Sequence, residues 1–263
     1  MPFIDRNYEV VGHGVAGLLF ITYGLSPFEL GQSEGRNFLG SIPMCVVIPA
    51  LVSLFAFMLV FHGLAFLDIH RHAALQHGLM MDLHTAAVAC AVAEKRGHLL
   101  SGFSTLVLGA AEVLESSLLW GHPNRSPLED RGHTLLMYVG YCAGIALIVY
   151  AMSSATLWPF ISACYFVTLK GTVWCLLAVW FSPNLTWKSN SMHIDIMMLQ
   201  YNFAVLAMFW LLFFGIRASC KQKTGMNSTA VDSISEDEGP YPDVLGNKVF
   251  GNDFGNQRRD IDL

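Results

Sequence analysis

The sequence predicts an all-α protein, a multi-pass bundle of seven transmembrane helices followed by a disordered tail. Hydrophobic residues make up 54% of the 263-residue chain and charged residues only 13%, against roughly 25% charged in ordinary soluble domains. Of the 15 basic and 20 acidic residues, 13 lie beyond residue 219, so the rest of the chain carries too little charge to cover a soluble surface. Seven apolar segments with short links have the length of a membrane span.

Each segment is close to the length that a bilayer requires, about 20 residues for a hydrocarbon core of ~30 Å. The second and seventh segments are strongly apolar, whereas the third and fourth carry charged residues in their interior. We therefore predict a transmembrane domain over residues 1–219 and a disordered tail over residues 220–263. The segments run from Tyr8 to Leu30, Ile42 to Leu67, His72 to Ala93, Leu99 to Trp120, His133 to Ser154, Leu157 to Phe181 and Met192 to Ile216.

Basic residues predict the orientation of the bundle. Lys95 and Arg96 follow the third segment, and Arg217, Lys221 and Lys223 follow the seventh. Both groups follow an odd-numbered span, so they lie on the same side of the membrane. Loops rich in lysine and arginine favour the cytoplasmic side. The amino terminus is thus expected in the lumen or exterior and the tail in the cytoplasm.

The tail predicts trafficking signals rather than a folded domain. It is rich in Gly, Asn, Asp and Ser and has few large apolar residues, so it cannot bury enough surface to offset its ordering entropy. Tyr241 and Val244 form a tyrosine-x-x-apolar motif of the kind that sorting adaptors bind. Cys220 directly follows the last apolar segment beside lysines and is a candidate for palmitoylation.

One lysine stands within a predicted span and requires a partner. Lys170 lies near the middle of the sixth segment, and Glu112 and Glu115 lie within the fourth. An isolated charge in a membrane costs several kcal/mol, so we predict a buried ion pair between Lys170 and one of these acids. A pair that fixes helix register is favoured over a proton relay.

Several histidines are predicted in the outer half of the bundle. Those at 13, 77, 122 and 133, together with Glu115, are candidate metal ligands, and Glu115 and His122 are seven residues apart on one helix face. Imidazole and carboxylate groups on neighbouring helices suit zinc, copper or iron, and two opposed histidines suit haem. The alternative is that these histidines make structural hydrogen bonds and lie at the membrane interface, where they can reach water. The cofactor is thus left open between a transition metal, haem and none.

The glycines of the first segment predict helix packing and not nucleotide binding. Residues 12–17 match G-x-G-x-x-G, but that fingerprint needs a preceding strand in a soluble βαβ unit. Gly12, Ala16 and Gly17 instead indicate a close helix contact, as do Gly140 and Gly144 in the fifth segment. The same faces would also serve a homo-oligomer. No nucleic-acid partner is predicted.

Short motifs in order along residues 10–216 carry a resemblance to a known family. They are Gly12-His13-Gly14-Val15-Ala16-Gly17, Gln76-His77, Glu115 with His122, Asn124-Arg125-Ser126-Pro127-Leu128-Glu129, His133-Thr134-Leu135-Leu136-Met137-Tyr138 and Gly171-Thr172-Val173-Trp174. The chain thereby resembles the transmembrane protein 45 family, which includes the transmembrane epididymal proteins. The resemblance implies seven spans and residence in Golgi, endosomal or plasma membranes, and it supplies no activity. Arg131 and Asn202 stand where the family has histidines, which puts a shared metal site in doubt.

Three functional hypotheses remain from the sequence. The absence of a catalytic motif and the tail signals favour a non-enzymatic membrane protein of the secretory and endosomal system. The histidines allow a metal- or haem-dependent membrane enzyme or carrier. Lys170 and the neighbouring acids allow a small-solute or proton transporter.

Overall fold

Seven α-helices make up the computed structural model, which describes residues 2–29, 44–68, 71–120, 126–153, 156–182 and 191–235. No strand occurs in these ranges, so the all-α prediction is confirmed, and each predicted segment corresponds to one helix. The helices are α1 (Pro2–Glu29), α2 (Met44–Phe66), α3 (Arg71–Lys95), α4 (Phe103–Trp120), α5 (Pro127–Met152), α6 (Leu157–Phe181) and α7 (Met192–Ser235).

Five helices in the described part of the chain are long and apolar enough to cross a membrane, as a multi-pass membrane protein requires. The apolar run of α1 is shorter, Val10–Ser26. The five candidate spans are Val47–Phe66, Phe103–Trp120, Pro127–Met152, Leu157–Phe181 and Met192–Cys220.

Helix α3 is less apolar than the five candidate spans, and two of its polar side chains pair with residues of other helices. Asp82 pairs with His62 of α2 at 3.0 Å, and His84 contacts Glu115 of α4 at 2.6 Å. The helix has 25 residues, which gives it a length of roughly 37 Å. It packs against both α2 and α4. Its length and packing therefore suit a crossing helix, although its composition alone does not show this.

The helices pack as a series that begins with α2 and continues through α3, α4, α5 and α6 to α1. Leu136 and Leu147 of α5 and Leu177 of α6 are fully buried within this series. Phe20 of α1 also contacts His84 of α3, with ring centroids 5.3 Å apart. Helices α1, α3, α4 and α6 therefore meet at one place inside the bundle.

Glycines bring two helix pairs into backbone contact. A Cβ on Gly17 would lie 2.6 Å from the carbonyl oxygen of Gly171, so α1 and α6 approach too closely for any side chain there. Gly144 of α5 faces the carbonyl of Gly109 in the same way, at 2.7 Å. The predicted close contacts are present at Gly17 and Gly144. Gly12 is different, because a Cβ there would meet nothing within 4 Å.

The start of α5 is defined by local sequence. Ser126 is its N-cap residue, and Pro127 follows at the first turn, where its missing N–H is not needed. The Ser126 side chain accepts a hydrogen bond from the Glu129 backbone, and the Glu129 carboxylate accepts one from the Ser126 backbone. This reciprocal capping box satisfies two of the N–H groups that a helix start leaves without partners.

Helix α7 presents large apolar side chains outward, as expected for a lipid-facing span, among them Met208, Phe209, Leu211 and Leu212. Its Trp210 donates a hydrogen bond to Thr172 of α6 at 2.8 Å. The chain divides into compact units at Met1–Ala218 and Ser219–Leu263. Helix α7 continues to Ser235, within the segment predicted as a tail, and residues 236–263 lie outside the described part of the chain.

Candidate functional site

Lys170 lies near the middle of α6 with none of its surface exposed. Its Nζ donates to Oε2 of Glu112 and to Oε2 of Glu115, the latter at 2.7 Å. These are the two acids that the sequence analysis named as candidate partners. Both glutamates are almost fully buried, with exposures of 0% and 2%. Because they are three residues apart on α4, they share one helix face and contact the same ammonium group.

Two further side chains complete the surroundings of this ion pair. Nε2 of His84 lies 2.6 Å from Oε2 of Glu115, the same oxygen that Lys170 contacts. The ring of Phe20 lies on another side, with its centroid 4.3 Å from Nζ of Lys170. We call His84, Glu112, Glu115 and Lys170 the buried quartet. Its members come from α3, α4 and α6, and α1 supplies the aromatic contact.

The charges of the buried quartet can balance without an outside ion. Two ionised glutamates carry two negative charges, and Lys170 and a protonated His84 carry two positive charges. A neutral His84 leaves one negative charge in excess. The attraction between these groups is strong in a low-dielectric interior, but removing them from water costs several kcal/mol per ion. The quartet is therefore sensitive to the loss of any one charge.

One carboxylate oxygen of the buried quartet is available to bind a further cation. Oε1 of Glu112 is buried and has no hydrogen-bond partner among the described residues. Carboxylate and imidazole ligand atoms of Glu112, Glu115 and His84 lie within 4.8 Å of one another. They form the single group of three or more candidate metal ligands in the part of the chain that the structure describes.

The structure describes four of the five residues in the metal set predicted from the sequence, and these four do not form one cluster. Among the described members His13, His77, Glu115 and His133, no three have ligand atoms close enough to share an ion. Glu115 belongs to the buried quartet, and His77 stacks on Phe61 with centroids 5.2 Å apart. The set is divided because its members face different neighbouring helices, which sequence spacing does not specify. His122 lies outside the described residues.

His13 and His133 do meet, in an aromatic cluster between α1, α5 and α6. Their ring centroids are 5.9 Å apart, and both rings contact Phe181. His13 also packs on Trp174 at 4.7 Å. Nδ1 of His133 donates to the carbonyl oxygen of Glu129 at 2.8 Å, which fixes the orientation of that ring. The hydrogen bond of His133 is of the kind that the structural alternative for the histidines predicts.

The predicted tail sites are described only in part. Cys220 is exposed on α7 where the apolar span ends. Tyr241 and Val244 lie outside the described residues.

Neither His84 nor Phe20 was predicted from the sequence to belong to a site. A usable signal was depth, because His84 lies near the middle of α3 as Lys170 does in α6. The position of Phe20 beside Lys170 could not be deduced from the sequence, because it depends on the close approach of α1 to α6 at Gly17 and Gly171.

Comparison with protein-family models gave no match, and comparison with curated proteins gave no significant relative.

Proposed function

We propose that this protein is a non-enzymatic membrane carrier for a small cation and that the buried quartet is its cation site. The observation that supports this proposal is the set of contacts between Lys170 and both Glu112 and Glu115 in full burial. Ionisable side chains at this depth are rare and mark ion and substrate pathways. In the present arrangement, the ammonium group of Lys170 occupies the cation position.

Stability alone is a poor explanation for the quartet. Apolar residues of similar volume in place of a buried ion pair are often neutral or stabilising by about 1–4 kcal/mol. One pair would suffice to fix the register of α4 and α6, whereas four ionisable groups from three helices meet here. A carrier has a reason to keep this arrangement, because a tethered ammonium can be replaced by a free cation as helix packing changes.

The proposed setting is a seven-span protein with its amino terminus in the lumen or exterior. Five candidate spans and the packing of α1 and α3 support the count. Lys95 at the end of α3 and Arg217 in α7 support a cytoplasmic position for those ends. The resemblance to the transmembrane protein 45 family supports the same count and a location in Golgi, endosomal or plasma membranes. We propose membership of that family.

The tail motifs support movement between these compartments. We propose that an adaptor binds the motif of Tyr241 and Val244, and that palmitoylation of Cys220 holds the start of the tail at the membrane. Cys220 is exposed, as the modification requires. Replacing Tyr241 with Ala should shift the steady-state distribution toward the cell surface, and an unchanged distribution by microscopy would contradict the adaptor proposal.

The carrier proposal is tested by ion flux into proteoliposomes that contain the full chain. H⁺, Na⁺, K⁺, Ca²⁺ and Zn²⁺ are offered separately, and entry is followed with ion-sensitive dyes. We expect at least one cation to enter faster than into empty liposomes, and Glu115→Gln to abolish the difference. Asp130→Asn is the matched control, because Asp130 is an exposed acid at the start of α5. Equal entry with and without protein for every cation would refute the proposal.

A further inference from the structure

The buried quartet points to a particular class of cation. We propose, as an extension of the proposed carrier function, that His84, Glu112 and Glu115 bind a divalent first-row transition metal ion and that the ammonium group of Lys170 competes with that ion for the same position.

The ligand atoms are close to a coordinating arrangement. Those of His84, Glu112 and Glu115 lie within 4.8 Å of one another. Ligands at about 2.1 Å from a tetrahedral metal ion are separated by roughly 3.4 Å. Nε2 of His84 and Oε2 of Glu115, which are 2.6 Å apart, would therefore have to separate by roughly 0.8 Å, and no other pair would have to close by more than about 1.4 Å. Glu112 and Glu115 already converge on a common cation. Three protein ligands leave a fourth position open for exchange.

An unsatisfied oxygen gives independent support for a ligand. Oε1 of Glu112 is buried without a hydrogen-bond partner among the described residues, and the residue has 0% exposure. A buried polar atom in that state is energetically costly, because it has lost its hydrogen bonds to water. A metal ion within reach would engage this oxygen, which the ammonium group of Lys170 leaves without a partner.

The donor atoms favour a transition metal over other cations. Imidazole nitrogen suits zinc, iron, copper and nickel, whereas calcium and magnesium prefer sites made only of oxygen. Two ionised glutamates carry the charge that a divalent ion neutralises. An ammonium group beside that ion would add unbalanced positive charge, so metal binding and the charged Lys170 side chain exclude each other.

This competition predicts an unusual behaviour for Lys170→Met. The variant leaves Glu112 and Glu115 without their cation, so it should unfold at a lower temperature than the wild type and bind metal more tightly. We expect Zn²⁺ to restore most of the lost thermal stability of the full-length variant in detergent, because a ligand that binds only the folded state stabilises it. The Zn²⁺ affinity should be at least tenfold higher than that of the wild type, as followed by Zn²⁺ titration and by the visible absorption of Co²⁺.

Matched variants identify the ligands and the metal class. In the Lys170→Met background, His84→Gln and Glu112→Gln should each abolish the Zn²⁺-dependent increase in Tm. His62→Gln should retain it, because His62 pairs with Asp82 outside the quartet. Mg²⁺ and Na⁺ should have little effect.

Several outcomes would overturn the inference. The first is a Tm of Lys170→Met that does not change with Zn²⁺. The second is a Zn²⁺-dependent increase in Tm that is as large after His84→Gln is added as before. The third is an increase with Mg²⁺ as large as that with Zn²⁺. If the wild type shows cation flux that depends on Glu115 but no variant binds Zn²⁺, the metal site is refuted and the carrier proposal stands. The absence of all cation flux would instead refute the carrier proposal.

Discussion

Removing the positive charge of Lys170 should destabilise the protein strongly. Lys170→Met has nearly the same side-chain length, so the cavity is small and the main effect is electrostatic. The change leaves two carboxylates buried and close together, both of which contact Nζ in the wild type. Removal of one partner from a buried pair costs about 3–5 kcal/mol. At roughly 2–4 °C per kcal/mol for a domain of this size, the apparent Tm should fall by about 10 °C.

The assay is thermal unfolding of purified protein in detergent, without added metal, over a range of pH. The difference in apparent Tm between the wild type and Lys170→Met should become smaller as the pH is lowered, because a protonated glutamate carries no uncompensated charge. The triple variant with Lys170→Met, Glu112→Gln and Glu115→Gln should regain much of the lost stability, since it contains no unpaired charge. An apparent Tm of Lys170→Met within about 1 °C of the wild type would refute the reasoning, because no buried ion pair of this kind could then be present.

Three smaller effects follow from other contacts. Gly17→Ala should lower stability by about 1–3 kcal/mol, because its Cβ would meet the backbone of α6. Gly12→Ala is the control and should not lower stability, because a Cβ there meets open space. Equal Tm values for the two variants would contradict the helix contact. Ser126→Ala should lower stability by about 1 kcal/mol and Ser126→Gly by less, as measured by thermal unfolding; the reverse order would contradict the capping box. Thr172→Val removes the acceptor of Trp210 and should cost only about 0.6 kcal/mol, so a much larger fall in Tm would show a further role for Thr172.

The helices could be predicted because a membrane imposes a length. About 20 mainly apolar residues in sequence are a local signal, and α2 carries it without a charged residue. Helix α3 shows the limit of that signal. Its Asp82 and His84 are compensated by side chains of α2 and α4, and a compensating partner in another helix is invisible in the local composition.

The candidate site could be predicted in part for a similar reason. Lys170 and the two glutamates stood out because each is costly inside a membrane unless paired. The sequence could not specify which helices are neighbours, so His13, His77 and Glu115 were grouped by predicted depth. In the structure, His77 packs on α2, His13 packs on α6 and Glu115 contacts Lys170. Depth was informative for His84, but the histidines predicted as metal ligands were those nearer the outer surface.

The close approach of Gly17 to Gly171 has a consequence for biosynthesis. Helix α1 leaves the ribosome long before α6, which supplies its main packing partner. During that interval, the glycine-lined face of α1, which lies within the apolar run Val10–Ser26, has no α6 to pack against. Chains that stop before α6 therefore expose a surface absent from the finished protein. Such a surface could be recognised by membrane chaperones and quality-control proteases, and its burial would provide a signal that synthesis of the bundle has passed α6.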